Sequence, residues 1–339
     1  MSDWKTAVRA YIDGRNQTEV NGTAEPLRRV ISEKAFALLH KDRLERLDET
    51  LCYRKIRVLQ NETRARLLEV DETGGEVRLK LELFRKQTYE QAHGRHSEQR
   101  IEQERLLLRQ TGNGGWLVAR IQPVVSEKSA AHAAQQAAAM PLAPDPYGFG
   151  KLPPPFLNEK LLSPSYKVPR SIKYNRELVR QYADRWWDSY SPDYEAFDVD
   201  CTNYVSQCVF AGGAPMNYTG NRAAGWWYQG RKGKQEMWSF SWAVSNSLQS
   251  YLSGSRTGLT AEPVETAEEL TIGDVITYDW DGDGRYQHST VVTAIDSAGM
   301  PLVNAHTTAS KHRYWDYRDS YAWTPQTRYR FFHIADYFQ

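Results

Sequence analysis

The sequence predicts an α+β protein in two parts, each running from helices into an antiparallel sheet. Three observations carry this expectation. Apolar residues recur at three- and four-residue steps from Asp3 to about Lys41 and again from Tyr174, the spacing of helices with one covered face. Each helical stretch gives way to alternation with a period of two, the pattern of half-buried strands. Between the two parts, residues 124–170 turn to an Ala/Gln run and then to proline-rich sequence that resists packing. A chain of 339 residues, 40% of them hydrophobic, has the material for two such cores.

Taken in order, Trp4, Val8 and Tyr11 predict a short helix, and Leu27, Val30, Ile31, Ala35, Leu38 and Leu39 a longer one. Five strands follow, beginning near Cys52, Arg64, Val77, Glu104 and Trp116. Gly74-Gly75 and Asn113-Gly114-Gly115 supply hairpin turns between consecutive strands. Residues 1–123 thus resemble a cystatin-like or nuclear-transport-factor-like roll, with partner binding, substrate positioning or dimerisation as its expected work. Residues 124–170 are expected to be a semi-rigid spacer, with a helical turn or two in Ala130–Ala139. In residues 171–339, Leu178, Val179, Tyr182, Ala183 and Trp186 mark one helix, and a second begins near Cys201. Strand patterns then start at Asp274, His288, Pro301 and Tyr329. Helices first and a late antiparallel sheet is the order of a papain-like core.

Within Asp200-Cys-Thr-Asn-Tyr-Val-Ser-Gln-Cys, Cys201 stands at the first turn of a helix whose buried face carries Tyr204, Val205, Cys208 and Val209. Asp200 reads as its N-cap. Backbone N–H groups and the positive end of the helix dipole favour a thiolate there, so Cys201 is the candidate nucleophile and its own N–H the candidate oxyanion donor. An unpaired cysteine is more often a small core residue, and that reading is kept for Cys208.

His288 opens a strand after the turn Asp279-Trp-Asp-Gly-Asp-Gly, which puts it at a sheet edge as the candidate base. Asn304 and His306 are two apart in the next strand, so either can lie beside His288 as a third, orienting residue. His312 and His333 read as structural or surface residues. The Asp279–Gly284 stretch opens like a calcium loop, but position 12 is Thr290 and the flanks are strands, so a tight hairpin is expected and no metal site. Nine of the eleven tryptophans lie beyond residue 180, and most belong in a core, with Trp242 the candidate for substrate contact.

Lys plus Arg number 43 against 42 for Asp plus Glu, a net charge of +1 that offers no field for nucleic acid or an anionic membrane. No segment reaches membrane-spanning length, and the first residues form no continuous apolar stretch of signal-peptide type. With three cysteines and no disulfide framework the expected compartment is the cytoplasm, export without a standard leader being the alternative. No cofactor is called for.

From Tyr174 to about Phe338 the sequence resembles the bacterial putative amidase domain family, a branch of the papain-like cysteine hydrolases related to NlpC-type cell-wall peptidases. Tyr174 with Arg176, Asp200–Cys208 followed by Ala211-Gly-Gly, Ser241-Trp242, Gly273-Asp-Val, the Asp281-Gly-Asp-Gly turn leading to His288, and Ala305-His306-Thr307 carry the resemblance. It implies Cys201 as nucleophile, His288 as base and His306 as third residue, with Asn304 the runner-up. It also implies cleavage of amide bonds in peptides such as those of peptidoglycan. Acyl transfer to an amine through the same residues, or a binding protein built on a retired amidase fold, are the competing readings.

Overall fold

The computed structural model describes residues 3–92, 94–128, 171–233 and 235–339; the expected spacer, including Ala130–Ala139, falls almost wholly outside these. The protein is mixed α/β, with several helices around one large antiparallel sheet.

Helix α1 (Trp4–Asn21) starts where the Asp3 carboxylate accepts from Lys5 N at 3.3 Å, and it ends at Gly22, whose φ of 69° suits a residue without Cβ. A short α2 (Glu25–Arg28) leads to α3 (Lys34–Arg54). Four strands then form a meander: β1 (Arg57–Thr73), β2 (Glu76–Gln91), β3 (Gly94–Gln110) and β4 (Trp116–Pro123). The count of five is corrected to four. Cys52 lies in the last turn of helix α3 instead of opening a strand, and the polar stretch Gln60–Thr63 lies within one continuous β1. Along β2 the alternate residues Val77, Leu79, Leu81 and Leu83 are buried with Tyr11, Phe36, Leu106, Leu108 and Val118. Each such side chain contributes about 1.5–3 kcal/mol relative to exposure, which is what holds the helices on this face.

Beyond residue 170 come β5 (Ile172–Lys173), α4 (Arg176–Trp186), α5 (Cys201–Ala211), β6 (Tyr228–Lys232), β7 (Gln235–Trp238), α6 (Phe240–Ala243), α7 (Ser245–Gly254) and β8 (Ala261–Val264). The remaining strands are β9 (Val275–Asp279), β10 (His288–Ile295), β11 (Pro301–Ala305), β12 (Ser310–Tyr314), β13 (Arg328–Ile334) and β14 (Tyr337–Phe338). The large sheet runs β1-β2-β3-β12-β11-β10-β9-β13-β8, with β4 also paired to β3. It is therefore continuous across both parts of the chain. Ser310 lies opposite Arg100, and Ile101 N donates to Ala309 O at 2.9 Å.

The junction is polar and buried. Arg313, 2% exposed, donates to Glu127 at 3.1 Å and Asp319 at 3.0 Å, and Arg100 also pairs with Asp319. These arginines hold the Asp319 carboxyl well below the usual carboxylate range, although burial pulls the other way.

Along β10 the side chains alternate between two cores. Val291 packs with Val179, Tyr204, Val205 and Trp242 on the face covered by α4 and α5, whereas Val292 packs with Ile276, Tyr278 and Trp280 on the opposite face. That alternation decides how the candidate site is arranged.

Candidate active site

Cys201 is the first residue of α5 and is 2% exposed. Asp200 does precede the helix, but its carboxylate makes no capping bond to it. It accepts instead from Phe197 N at 3.0 Å and Asn203 Nδ2 at 2.8 Å. The cap comes from a residue over a hundred positions away: Thr307 Oγ1 accepts from Asp200 N at 3.2 Å and Cys201 N at 3.1 Å. Thr307 has φ of 79°, a conformation costing about 1–3 kcal/mol for a β-branched residue, and surrounding contacts hold it there. The Cys201 N–H expected to await an oxyanion is thus already donated, and the Thr307 hydroxyl oxygen sits where an oxyanion would.

The Cys201 thiol is poised less than the sequence led one to expect. Burial pushes it up, and the Ser289 backbone N–H with the Thr202 and Thr307 hydroxyls only partly draw it back. Thr202 Oγ1 lies 3.8 Å from Sγ and 3.2 Å from Ser289 Oγ, which donates to Ser245 Oγ at 2.8 Å. Cys201 and Thr202 line a cleft of about 280 Å³ with Arg222, Trp238, Tyr286 and Gln287.

His288 is not brought to this cleft. It stands opposite Tyr278 in the β9–β10 pairing and shares that residue's face, while Ser289, opposite Thr277, takes the face turned to α5. The His288 ring is wholly buried among Tyr278, Trp280 and Tyr317, with Nε2 3.4 Å from Tyr317 Oη and Nδ1 without a partner. Burial, aided by the Arg313 charge, pushes its pKa down to about 3. The placement of His288 beside the thiol is corrected on this ground: in a strand, one position separates the two faces of the sheet.

His306 is the histidine on the α5 side. It follows β11, stacks on Tyr204 of α5 with ring centroids 4.0 Å apart, and meets Asp200 Oδ2 through Nδ1 at 2.6 Å. Its Nε2 lies 2.6 Å from the Trp186 carbonyl. Both partners are acceptors, so both contacts are satisfied together when both ring nitrogens donate. Asn304, the other candidate for the third residue, is engaged away from His288, which it was expected to orient. It accepts from Thr293 Oγ1 at 2.7 Å and His312 N at 2.8 Å, and donates to Asp184 at 3.0 Å.

Trp242 is a core residue and does not line the cleft. Its ring is fully buried between Tyr194, Trp226 and Tyr228, and Nε1 donates to Asn203 Oδ1 at 2.8 Å. The tryptophan that faces the cleft is Trp238. In the glycine-rich turn, the Asp279 carboxylate accepts from Gly282 N and Gly284 N at 2.8 Å each, so it closes the hairpin. His333 binds Asp274 at 2.9 Å beside Arg176, and that bond raises its pKa. Nothing local in the sequence marks Ser289 or the cap from Thr307, because each acts only through a tertiary contact.

With this geometry in hand, residues 173–332 match the family model described as "Putative amidase domain". That segment belongs to this family. The chain is also similar to the uncharacterized protein YhbB of Bacillus subtilis (strain 168), with 52% identity over 167 residues. The match takes in 49% of this chain and 52% of that protein, so the chain spans about half the length of the curated relative. Among the described residues, no helix is long and apolar enough to cross a membrane.

Proposed function

We propose that the amidase segment is a cysteine-dependent peptide amide hydrolase whose nucleophile is Cys201 and whose base is His306, oriented by Asp200. The observation that carries this reading is at the start of α5, where the Cys201 thiol lines a cleft and its chain neighbour Asp200 is bonded at 2.6 Å to the imidazole of His306. The described conformation corresponds to a resting state. Release from the Trp186 carbonyl frees Nε2 to accept a proton while Asp200 holds the ring through Nδ1–H. Nε2 then takes the Cys201 proton as Sγ attacks the amide carbonyl. When the C–N bond breaks, Nε2–H gives that proton to the leaving amine. Water attacks the thioester, loses a proton to Nε2, and the acid departs as the thiol is restored. The Cys201 N–H exchanges the Thr307 hydroxyl for the developing oxyanion.

His288 has no role in this scheme, since a buried ring with so low a pKa on the far face of the sheet is a poor proton acceptor at neutral pH. Peptidoglycan stem peptides are the substrates the family resemblance suggests. The test is mass-spectrometric hydrolysis of a panel of such peptides and simple peptides by wild type, Cys201→Ala, His306→Gln and His288→Gln. Loss of about a thousandfold or more in the first two, with substantial activity kept in the third, supports the reading. The opposite ranking of the two histidines overturns the assignment of the base.

A further inference from the structure

A second cavity, of about 330 Å³, opens near the start of α5. Its walls come from both parts of the chain. Glu82 of β2 with Ile101 and Gln103 of β3 face Trp187, Tyr190 and His306. Asp198, which is exposed, lines both this cavity and the Cys201 cleft, so the two adjoin around one residue. Each cavity alone is at or just below the lower end of ligand-sized pockets, about 300–1,000 Å³, and together they fall well within that range.

The wall from the N-terminal part is firmly placed. β3 pairs with β12, the Ile101–Ala309 backbone bond adjoins the segment that carries His306 and Thr307, and Phe84 of β2 packs against Trp187 with ring centroids 6.0 Å apart. A surface fixed this way cannot swing clear of the site, and whatever leaves the cleft across Asp198 runs along it.

We propose that the N-terminal sheet forms one wall of the substrate groove, and that the substrate is an oligopeptide whose backbone extends from Cys201 across Asp198 to Glu82 and Gln103, in preference to a small free amide. This rests on the reading of Cys201 as nucleophile. It gives residues 3–123 a part in selecting the substrate.

Two thiol reagents, chloroacetamide and chloroacetyl-tetraglycine amide, test it. They share a reactive group and differ only in a peptide tail free of side chains and stereochemistry. The readout is the ratio of Cys201 labelling rates, tailed over untailed, followed by mass spectrometry. In wild type the ratio is expected at about ten, what one or two backbone hydrogen bonds supply. In Gln103→Trp and Glu82→Trp, which fill the groove, it falls toward one. Leu38→Trp on the exposed face of α3, which borders neither cavity, keeps the wild-type ratio. A wild-type ratio near one, or an undiminished ratio in both filled variants, overturns the groove while leaving the nucleophile standing. Failure of both reagents to label Cys201 even beyond pH 9, long after exposed Cys52 is fully labelled, overturns the nucleophile itself, and the groove with it.

Discussion

The bond between Asp200 and His306 offers the sharpest test of the site, because both side chains are enclosed and each has few other options. Asp200 is 1% exposed and His306 6%. Replacing His306 with Gln removes a charge-assisted bond of 2.6 Å, worth about 1.5–3 kcal/mol. It also removes the stacking on Tyr204, worth about 0.5–1.5 kcal/mol. The Asp200 carboxylate keeps its bonds from Phe197 N and Asn203, so it is weakened and not orphaned. A loss of about 2–4 kcal/mol in unfolding free energy follows for His306→Gln. Asp200→Asn removes the charge and keeps the shape. Urea unfolding of the wild type, both single variants and the double variant closes a cycle in which stacking and cavity effects cancel, leaving the pair's coupling at about 1.5–3 kcal/mol. A coupling below about 0.5 kcal/mol, with unchanged m-values, refutes the pair and removes the orientation on which His306 depends.

Other outcomes follow from the same coordinates. Because burial pushes the Cys201 thiol up, iodoacetamide at pH 7 should modify exposed Cys52 well before Cys201, with Cys201 labelling still climbing beyond pH 9; faster labelling of Cys201 at pH 7 would contradict the resting state described above. His288 has a folded pKa of about 3 against an ordinary 6.5, so between these values the unfolded chain binds more protons and stability falls as pH falls. His288→Gln should flatten the dependence of the unfolding midpoint on pH from 7 to 4, and an unchanged slope counts against the burial of the ring. Arg313→Met leaves Glu127 and Asp319 facing a buried gap and is expected to cost about 3–5 kcal/mol in chemical denaturation, whereas a cost under 1 kcal/mol would mean the junction is hydrated. Gly282→Ala forces a Cβ to 2.7 Å from the Gln326 carbonyl oxygen at φ of 69°, and should lower the thermal midpoint by several degrees in a scan.

The succession of helices and strands, and the position of Cys201 at the opening of α5, were legible because period and spacing are local properties. The facing of His288 was not. It depends on which of two successive residues the sheet turns toward α5, and the β10–β11 pairing itself shifts register between Val292 and Ala294. Asp200 was legible as a residue at a helix start, but its engagement by His306 requires the fold to join positions 106 apart. Trp242 illustrates the same limit: nothing local distinguishes a ring that fills a core from one such as Trp238 that borders a cleft. One strand looks like two near Cys52 and Arg64 because the last turn of α3 runs almost directly into β1 at Arg57, and the polar stretch Gln60–Thr63 hides the continuity of β1 through Arg64.

The pairing of β3 with β12 changes what it means to divide this protein. Excising the amidase segment alone would strip β12 of its neighbour β3 and take Arg100 and Glu127 away from Asp319 and Arg313, turning interior polar groups into an unsealed margin. The excised segment should therefore be less soluble than the whole chain. Any relative that dispenses with the N-terminal sheet must close that margin by some other means, which makes the sequence around β12 the place to look for how such chains compensate.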